Sequence, residues 1–341
     1  MLATKEQIAN DKGETLPVEK LISVTGGGSI VRVLSSSVGS VFALRWNPSS
    51  NLLLCISSVT GGGYVRVWRL PDTEPVGTEP ISHTILDGAW TADSTFVVCG
   101  HDTLLNFDID GNNLTPRKSH GVPMKWEKVR YDPICRIIAC ASVEDGRLGL
   151  LLPDADDLQI SEPLEPIIGF DFQPIPNPAS HMPDDSRLLA VSDNQGFITV
   201  WDAKRPFKII HRMTMDGTSA YNIAFSPDGY LFAAAGLGMV RVWQTDTGEF
   251  PKMNLKATWK PKDNEWITEG EEEQSDCNLS WDLDGKKLAY SIGNKVSHSS
   301  QALNCVLYGP SAIGAFRVLP PAIVLPRKLP TNGISPPLVH R

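Results

Sequence analysis

Short apolar runs alternate with polar turns along most of this chain. Six of those runs end on an aromatic residue: Trp46, Trp90, Tyr131, Phe172, Phe225 and Trp281. In the clearest units a tight polar turn and a second apolar run follow. Val41-Phe42-Ala43-Leu44-Arg45-Trp46 leads through the turn from Asn47 to Asn51 into Leu52-Leu53-Leu54-Cys55-Ile56. Tyr221 to Phe225 leads through Ser226-Pro227-Asp228-Gly229 into Tyr230 to Ala234. Leu279-Ser280-Trp281 leads through Asp282-Leu283-Asp284-Gly285 into Lys286 to Tyr290. Runs rich in Val, Ile, Leu and Phe, bounded by Asn-Pro and Asp-Gly, predict strands buried between packed sheets. Gly accepts positive φ and Pro presets φ, which is the chemistry of tight turns.

A third strand ending in an aromatic follows in most units: Tyr64 to Trp68, Leu104 to Phe107, Phe197 to Trp201 and Met239 to Trp243. The third unit is weaker, since Arg147 to Leu152 has no aromatic. Fourth strands are faint, as at Lys208 to Met213, because an outer edge is partly exposed and its pattern is diluted. The six aromatics are separated by 44, 41, 41, 53 and 56 residues. A period of about 40–45 residues with several short strands per unit predicts an all-β fold, a β-propeller. Trp201-Asp202 is the dipeptide that names the WD repeat. The physical reason for a ring is that one small sheet has two apolar faces and can hide neither alone, whereas closure gives every blade two neighbours.

Six blades account for the aromatics, with residues 30–34 expected as the outer strand of the last blade and 303–308 as its third. An alternative has seven blades. Ser23-Val24-Thr25-Gly26-Gly27-Gly28 is echoed by Ser58-Val59-Thr60-Gly61-Gly62-Gly63, and Val31-Arg32-Val33 by Val65-Arg66-Val67. Residues 21–34 then belong to an earlier blade. The expected organisation is a polar segment over 1–28, the propeller over 29–309 and a Pro-rich tail over 310–341. Two segments interrupt the repeat. The first turn of the fourth unit swells over 173–187 and contains Pro174, Pro176 and Pro178, which predict a surface loop. The tail carries Pro310, Pro320, Pro321, Pro326, Pro330, Pro336 and Pro337, a spacing that favours extended or irregular chain.

The net charge of −8 argues against nucleic acid as the main ligand, because phosphate binding needs clustered Lys and Arg. The densest charge run is acidic: Glu269 and Glu271 to Glu273, with Asp263, Glu265 and Asp276 nearby. It reads as a solvated loop or as a contact for a basic partner. No run is long and apolar enough for a membrane span, and the polar first residues lack the apolar core of a secretory signal. A nuclear or cytoplasmic location is expected. Among the six cysteines, Cys55, Cys99 and Cys140 each stand nine residues after an aromatic, where the fifth unit has Ala234. This is the register of a small buried residue rather than of a metal or disulfide site, and unpaired thiols fit a reducing compartment.

No zinc-protease, nucleophile-elbow or phosphate-loop motif is present. The glycine triplets open no helix, so tight turns explain them better than phosphate binding. No catalytic residue, cofactor or metal is therefore expected. The loops after each unit's second strand gather on one face of a propeller: 59–63, 100–103, 144–146, 193–196, 237–238 and 293–295. They make a mostly acidic rim of His101, Asp102, Glu144, Asp145, Asp193 and Asn194, with Tyr64 at its edge as an aromatic anchor. Such a rim suits a basic peptide. Asp, Asn and Gly are also ordinary turn formers, and either reading accounts for them.

Three features together, the stretch Val41 to Asn47, the swelling at 173–187 and the pairing of Ala224-Phe225-Ser226-Pro227-Asp228-Gly229 with Val240 to Gly248, resemble the WD-repeat half of the transducin β-like proteins. The resemblance covers about residues 38–295. It implies a nuclear subunit of a histone deacetylase corepressor complex, acting without catalysis by holding corepressor and deacetylase subunits or basic peptides such as histone tails. The chain departs from that family in three ways. No N-terminal LisH-type region is expected in it, so the family's oligomerisation is not implied. The family ring has more than six blades. The Gly-His and buried Asp of WD repeats are eroded, with Met215-Asp216 where Gly-His would fall in the fifth unit. Other expectations are a WD scaffold of a ubiquitin-ligase receptor or ribosome-biogenesis assembly, a propeller enzyme with a site in the central channel, and a diverged product with little function.

Overall fold

A computed structural model describes residues 40–245 except 70–71, 73, 122, 154, 175–186, 206 and 237–238, together with strands on either side of that span. Every regular element among the described residues is a β-strand, and no helix is long and apolar enough to cross a membrane. The six sequence units become six antiparallel four-stranded sheets. Sheet 1 comprises Ser40–Trp46, Leu52–Val59, Gly62–Arg69 and Pro75–Ile81. Sheet 2 comprises Ile85–Ala92, Thr95–Gly100, Thr103–Asp110 and Asn113–Ser119. Sheet 3 comprises Lys128–Asp132, Ile137–Ser142, Arg147–Leu151 and Gln159–Ile160. Sheet 4 comprises Ile167–Phe172, Leu188–Asp193, Phe197–Asp202 and Lys208–Thr214. Sheet 5 comprises Asn222–Phe225, Leu231–Gly236, Met239–Thr245 and Met253–Trp259. In these five the spatial order is the chain order.

The alternation of side chains along the second strands shows how the sheets shield one another. Leu54 and Ile56 of sheet 1 pack with Phe96 and Val98 of sheet 2. Val97 and Cys99, on the opposite face of sheet 2, pack with Ile138 and Cys140 of sheet 3. Ala139 and Ala141 then meet Leu189 and Val191 of sheet 4, and Ala190 meets Phe232 and Ala234 of sheet 5. A strand with period two thus feeds two separate cores, which is why these runs are apolar at every position. The opening aromatics all look backwards: Trp90, Tyr131, Phe172, Phe225 and Trp281 pack on the preceding sheet. Two of them also fasten it, the Trp90 indole donating to the Arg45 carbonyl at 2.9 Å and that of Trp281 to Ala224 at 3.1 Å.

Several expectations are corrected. Ile30–Ser35 is a strand, but it pairs with Thr15–Ile22, which pairs with Leu2–Ala9 in a separate three-stranded sheet. Only seven residues, 23–29, separate it from that partner, and a short loop closes at less entropic cost than a ring-spanning one. In sheet 6, Cys277–Trp281 and Lys287–Ile292 are followed in space by Ile313–Arg317, and Val306–Tyr308 takes the outer place expected for the third strand's neighbour. Ile313–Arg317 is a Pro-free apolar run inside the Pro-rich tail, so it can accept partners on both sides. Cys55, Cys99, Cys140 and Ala234 are all buried, as their spacing predicts; Cys140 and Ala234 face the preceding sheet, whereas Cys99 faces the following one. A bulge between Trp90 and Ala92 shifts its register by one residue and so reverses its face. The ends of the swollen turn are not at the surface: Gln173 and Arg187 are buried. The acidic run over 263–276, residues 175–186, the loops 237–238 and 293–295, and most of the tail lie outside the described residues.

Candidate interaction surfaces

At one end of the ring, the loops between second and third strands press against the connections between sheets. Two glycines make the approach possible. A Cβ on Gly146 (φ +61°) would sit 2.1 Å from the Leu164 carbonyl oxygen, and one on Gly196 (φ +83°) 2.3 Å from that of Thr218. Both sites need positive φ and no side chain, which only Gly supplies without strain. The expected rim residues lie here, in two groups. His101 and Asp102 are exposed, and their backbone N–H groups donate to Thr84 O and Met124 O, both at 2.9 Å. The strand-like bridge between His101 and Lys125 brings in the segment 124–127. Lys125 Nζ lies 2.9 Å from Glu127 and 2.8 Å from Glu144. The hydrogen bonds that its ammonium donates to those two carboxylates hold its pKa above the usual lysine range.

In the second group, Asp193 Oδ1 accepts from Gln195 N and Phe197 N, each at 2.9 Å, which is turn-forming chemistry. The Asn194 carbonyl accepts from Ser219 Oγ at 2.6 Å. Asp145 turns back to accept from Ser142 Oγ at 2.7 Å. Tyr64 is half-buried on the third strand of sheet 1, with the Arg66 guanidinium 5.4 Å from its ring centre. No hydrogen bond or ion pair joins Tyr64 to either group among the described residues. Lys125 and Glu127 were missed in the sequence because they sit in a connection outside the repeat.

A second surface lies at the axis, where the first strands of successive sheets pack side by side. Asp87 is buried and bridges three of them: Arg45 Nη2 donates to Oδ1 at 2.7 Å, and Arg130 Nη1 and Val129 N donate to Oδ2 at 2.9 and 3.2 Å. Burial pushes the Asp87 carboxyl up, but the two guanidiniums outweigh it and hold it below the usual range. Asp171 on the next strand has weaker support. Burial raises its carboxyl to about 6, only partly offset by Arg130 and by the Phe225 N–H that it accepts at 3.0 Å. The signal was legible: Arg45, Arg130 and Asp171 each precede an opening aromatic, so alternation turns them away from the sheet-facing ring.

The residues that would pair WD-repeat tryptophans are also eroded in space. Among the described residues, the buried indole N–H groups of Trp68 and Trp201 and the Ser57 hydroxyl have no hydrogen-bond partner. Among the described residues no group of three or more His, Cys, Asp or Glu is placed to hold a metal ion.

The family model for the WD domain, G-beta repeat matches residues 28–69 and 210–244. The F-box-like/WD repeat-containing protein TBL1X of Mus musculus is 25% identical over 206 residues, covering 60% of this chain and 38% of that protein. The chain thus spans well under half the length of this curated relative. Among solved structures, the C-terminal WD40 domain of Sif2 superposes with a TM-score of 0.63 at 15% identity, over 93% of this chain and 82% of that one. The Cps50 (Swd1) β-propeller domain of Myceliophteria thermophila gives 0.62 at 14% identity, over 92% and 95%. Repeat, strand order and inter-sheet packing agree with these likenesses: the chain carries WD40 repeats and has the fold of a WD40 β-propeller.

Proposed function

We propose that this chain is a non-catalytic scaffold that holds protein partners on the faces of its ring, as a subunit of a nuclear transcriptional corepressor assembly containing a histone deacetylase. The observation that carries the scaffold reading is the crowding of second-to-third-strand loops and inter-sheet connections at one end, which fixes polar side chains on a rigid frame. His101, Asp102 and Glu144, tied together through residues 124–127, form the part of the rim offered to a basic peptide. Asp145, Asp193 and Asn194 support their own loops. The corepressor assignment draws on the resemblance to transducin β-like proteins and on the similarity to TBL1X.

Affinity purification of the tagged full chain from nuclear extract, followed by mass spectrometry, tests this reading. A deacetylase among the retained proteins, depleted by a Glu144→Lys/His101→Ala variant, is the expected result. Recovery of cullin adaptors or pre-ribosomal particles in its place would overturn the corepressor assignment.

A further inference from the structure

The packing between sheets 3 and 4 is left open at its outer edge. The outer strand of sheet 3 has two residues, Gln159–Ile160, where those of sheets 1, 2, 4 and 5 have seven. At the end of this contact away from the rim lies a cleft of about 540 Å³. Cys135, Ile137, Leu152 and Ala155, with Pro153, make its apolar wall, and Lys204 and Arg205 in the last turn of sheet 4 supply its charge. Among the described residues no carboxylate lines it. The two acidic residues that begin the flanking turns are engaged below the surface. Asp132 pairs with Arg187 and accepts from Ile134 N and Cys135 N at 3.1 and 3.2 Å. Asp202, also buried, accepts from Lys204 N at 3.1 Å and from Arg205 Nη1 at 3.3 Å. Lys204 is exposed and pairs with no carboxylate among the described residues, and the Arg205 side chain is 44% exposed. Burial and Asp132 raise the Cys135 thiol, and the Lys204 ammonium beside it offsets them in part. Both turns are stiff: Arg136 and Phe207 hold φ of +55° and +63°, which residues with side chains keep only where their surroundings fix them.

We propose that this cleft docks a segment of a partner protein in which an aliphatic side chain is flanked by acidic residues. The apolar wall takes the aliphatic group, since an open apolar hollow rimmed by charge is the form of a binding site. The sign of the partner follows from the two cations. The chain as a whole carries −8, so positive charge without a carboxylate in the same lining is a local departure, and its complement is acidic. A basic or purely apolar segment would cover Lys204 and Arg205 without giving them an acceptor, which costs more than it returns. A guanidinium and an ammonium side by side suit two carboxylates, the planar fork of Arg205 taking one of them. Because both turns are already fixed, docking orders little of the cleft itself. The inference rests on the scaffold reading but concerns the face opposite the rim. Asp154 lies outside the described residues, and its charge is removed in one arm of the test.

Fluorescence polarisation with the full chain and labelled peptides Asp-Glu-Leu-Glu-Asp, Lys-Lys-Leu-Lys-Lys and Asp-Glu-Ser-Glu-Asp provides the test. The first is expected to bind at least about fivefold more tightly than the other two, and Lys204→Glu to weaken it at least about fivefold. Asp154→Asn should leave its binding unchanged or tighter. Cys135 reports the place: it is half-buried in the cleft, whereas Cys55, Cys99 and Cys140 are buried. Saturating acidic peptide is expected to slow alkylation of Cys135 by iodoacetamide at least about threefold, read by mass spectrometry of the peptide that contains it. Equal binding of the lysine peptide or the serine peptide, unchanged binding by Lys204→Glu, weaker binding by Asp154→Asn, or alkylation of Cys135 at the same rate overturns the proposal. So does sedimentation showing self-association that Lys204→Glu abolishes, with no peptide bound, since the occupant is then a second copy. If the cleft fails while a deacetylase is still captured through His101 and Glu144, the scaffold reading stands. If the acidic peptide binds and no deacetylase is captured, the corepressor reading falls and the cleft stands.

Discussion

The contact between sheets 1 and 2 and the contact between sheets 3 and 4 are built from the same repeat and spend it differently. The first is sealed from axis to rim. Trp90 meets Phe96 edge-on at 5.3 Å, and Phe96 stacks on Phe107 at 5.1 Å. At the rim the outer strands touch, and Gly77 lies so close to Leu114 that a Cβ would come within 2.7 Å of its Cγ. The second contact carries an ion pair in its interior. Arg187 donates to Asp132 through Nε at 2.9 Å and Nη2 at 2.7 Å, both residues 2% exposed or less. Arg187 Nη2 also donates to the Gln173 carbonyl, while its Nη1 has no partner among the described residues. Its rim is open because sheet 3 ends early. A propeller tolerates this because each contact between sheets is a separate core, so one can be polar and incomplete while its neighbours hold the ring.

Breaking each contact at its centre should cost a similar amount for different reasons. Phe96→Ala is expected to lower stability by about 3–5 kcal/mol through a cavity. Asp132→Ala is expected to cost about 3–5 kcal/mol by leaving Arg187 buried and uncompensated. Urea denaturation of the double variant Asp132→Leu/Arg187→Met separates the two. Recovery of most of the loss marks the pair as replaceable by apolar packing, whereas no recovery would mean that the carboxylate is needed to hold the Ile134 and Cys135 N–H groups that it accepts.

A smaller effect, and a pH-dependent one, belongs to Asp171. With its carboxyl raised to about 6, the folded chain keeps a proton through the window from about 4 to 6 that the unfolded chain loses, so this group's contribution falls as pH rises through that window. Asp171→Asn retains an acceptor for Phe225 N. It should match the parent at pH 4 and exceed it at pH 7 by up to about 3 kcal/mol. An equal difference at both pH values would show that desolvation of the carboxylate is not the cause.

Gly146→Ala sharpens the view of the loop face. Positive φ and the Leu164 carbonyl together should cost about 1–3 kcal/mol in thermal melts, with a larger loss than Gly111→Ala, where nothing crowds the site despite a φ of +61°. The smallest effect is expected from Glu144→Gln. Lys125 keeps Glu127, and an exposed pair contributes about 1 kcal/mol or less, so any effect of this substitution on partner capture would be a binding effect.

Much of this was legible in the residues. The six aromatic-tipped hairpins, their Asn-Pro and Asp-Gly turns, and the buried small residues at Cys55, Cys140 and Ala234 follow from periodicity and turn chemistry, which act over neighbours in the chain. Cys99 is buried as expected, but which neighbouring sheet it faces was not legible, because a bulge, invisible in a count of nine residues, exchanges the two faces of a strand. The rim was half legible: exposed polar loop residues could be named, but not that Lys125 would tie Glu144 to Glu127 or that Asp193 would be spent on its own turn.

The sequence by itself determined that the chain makes short doubly buried strands in repeating sets, because apolar runs bounded by turn formers have no other way to hide both faces. Only the tertiary structure decided which strand Ile30–Ser35 joins, that Arg187 meets Asp132 across 55 positions, and that Lys204 and Arg205 stand over a cleft beside Cys135. Those outcomes depend on which sheet lies opposite and how far its outer strand runs, and a pattern local to each strand carries no information about either.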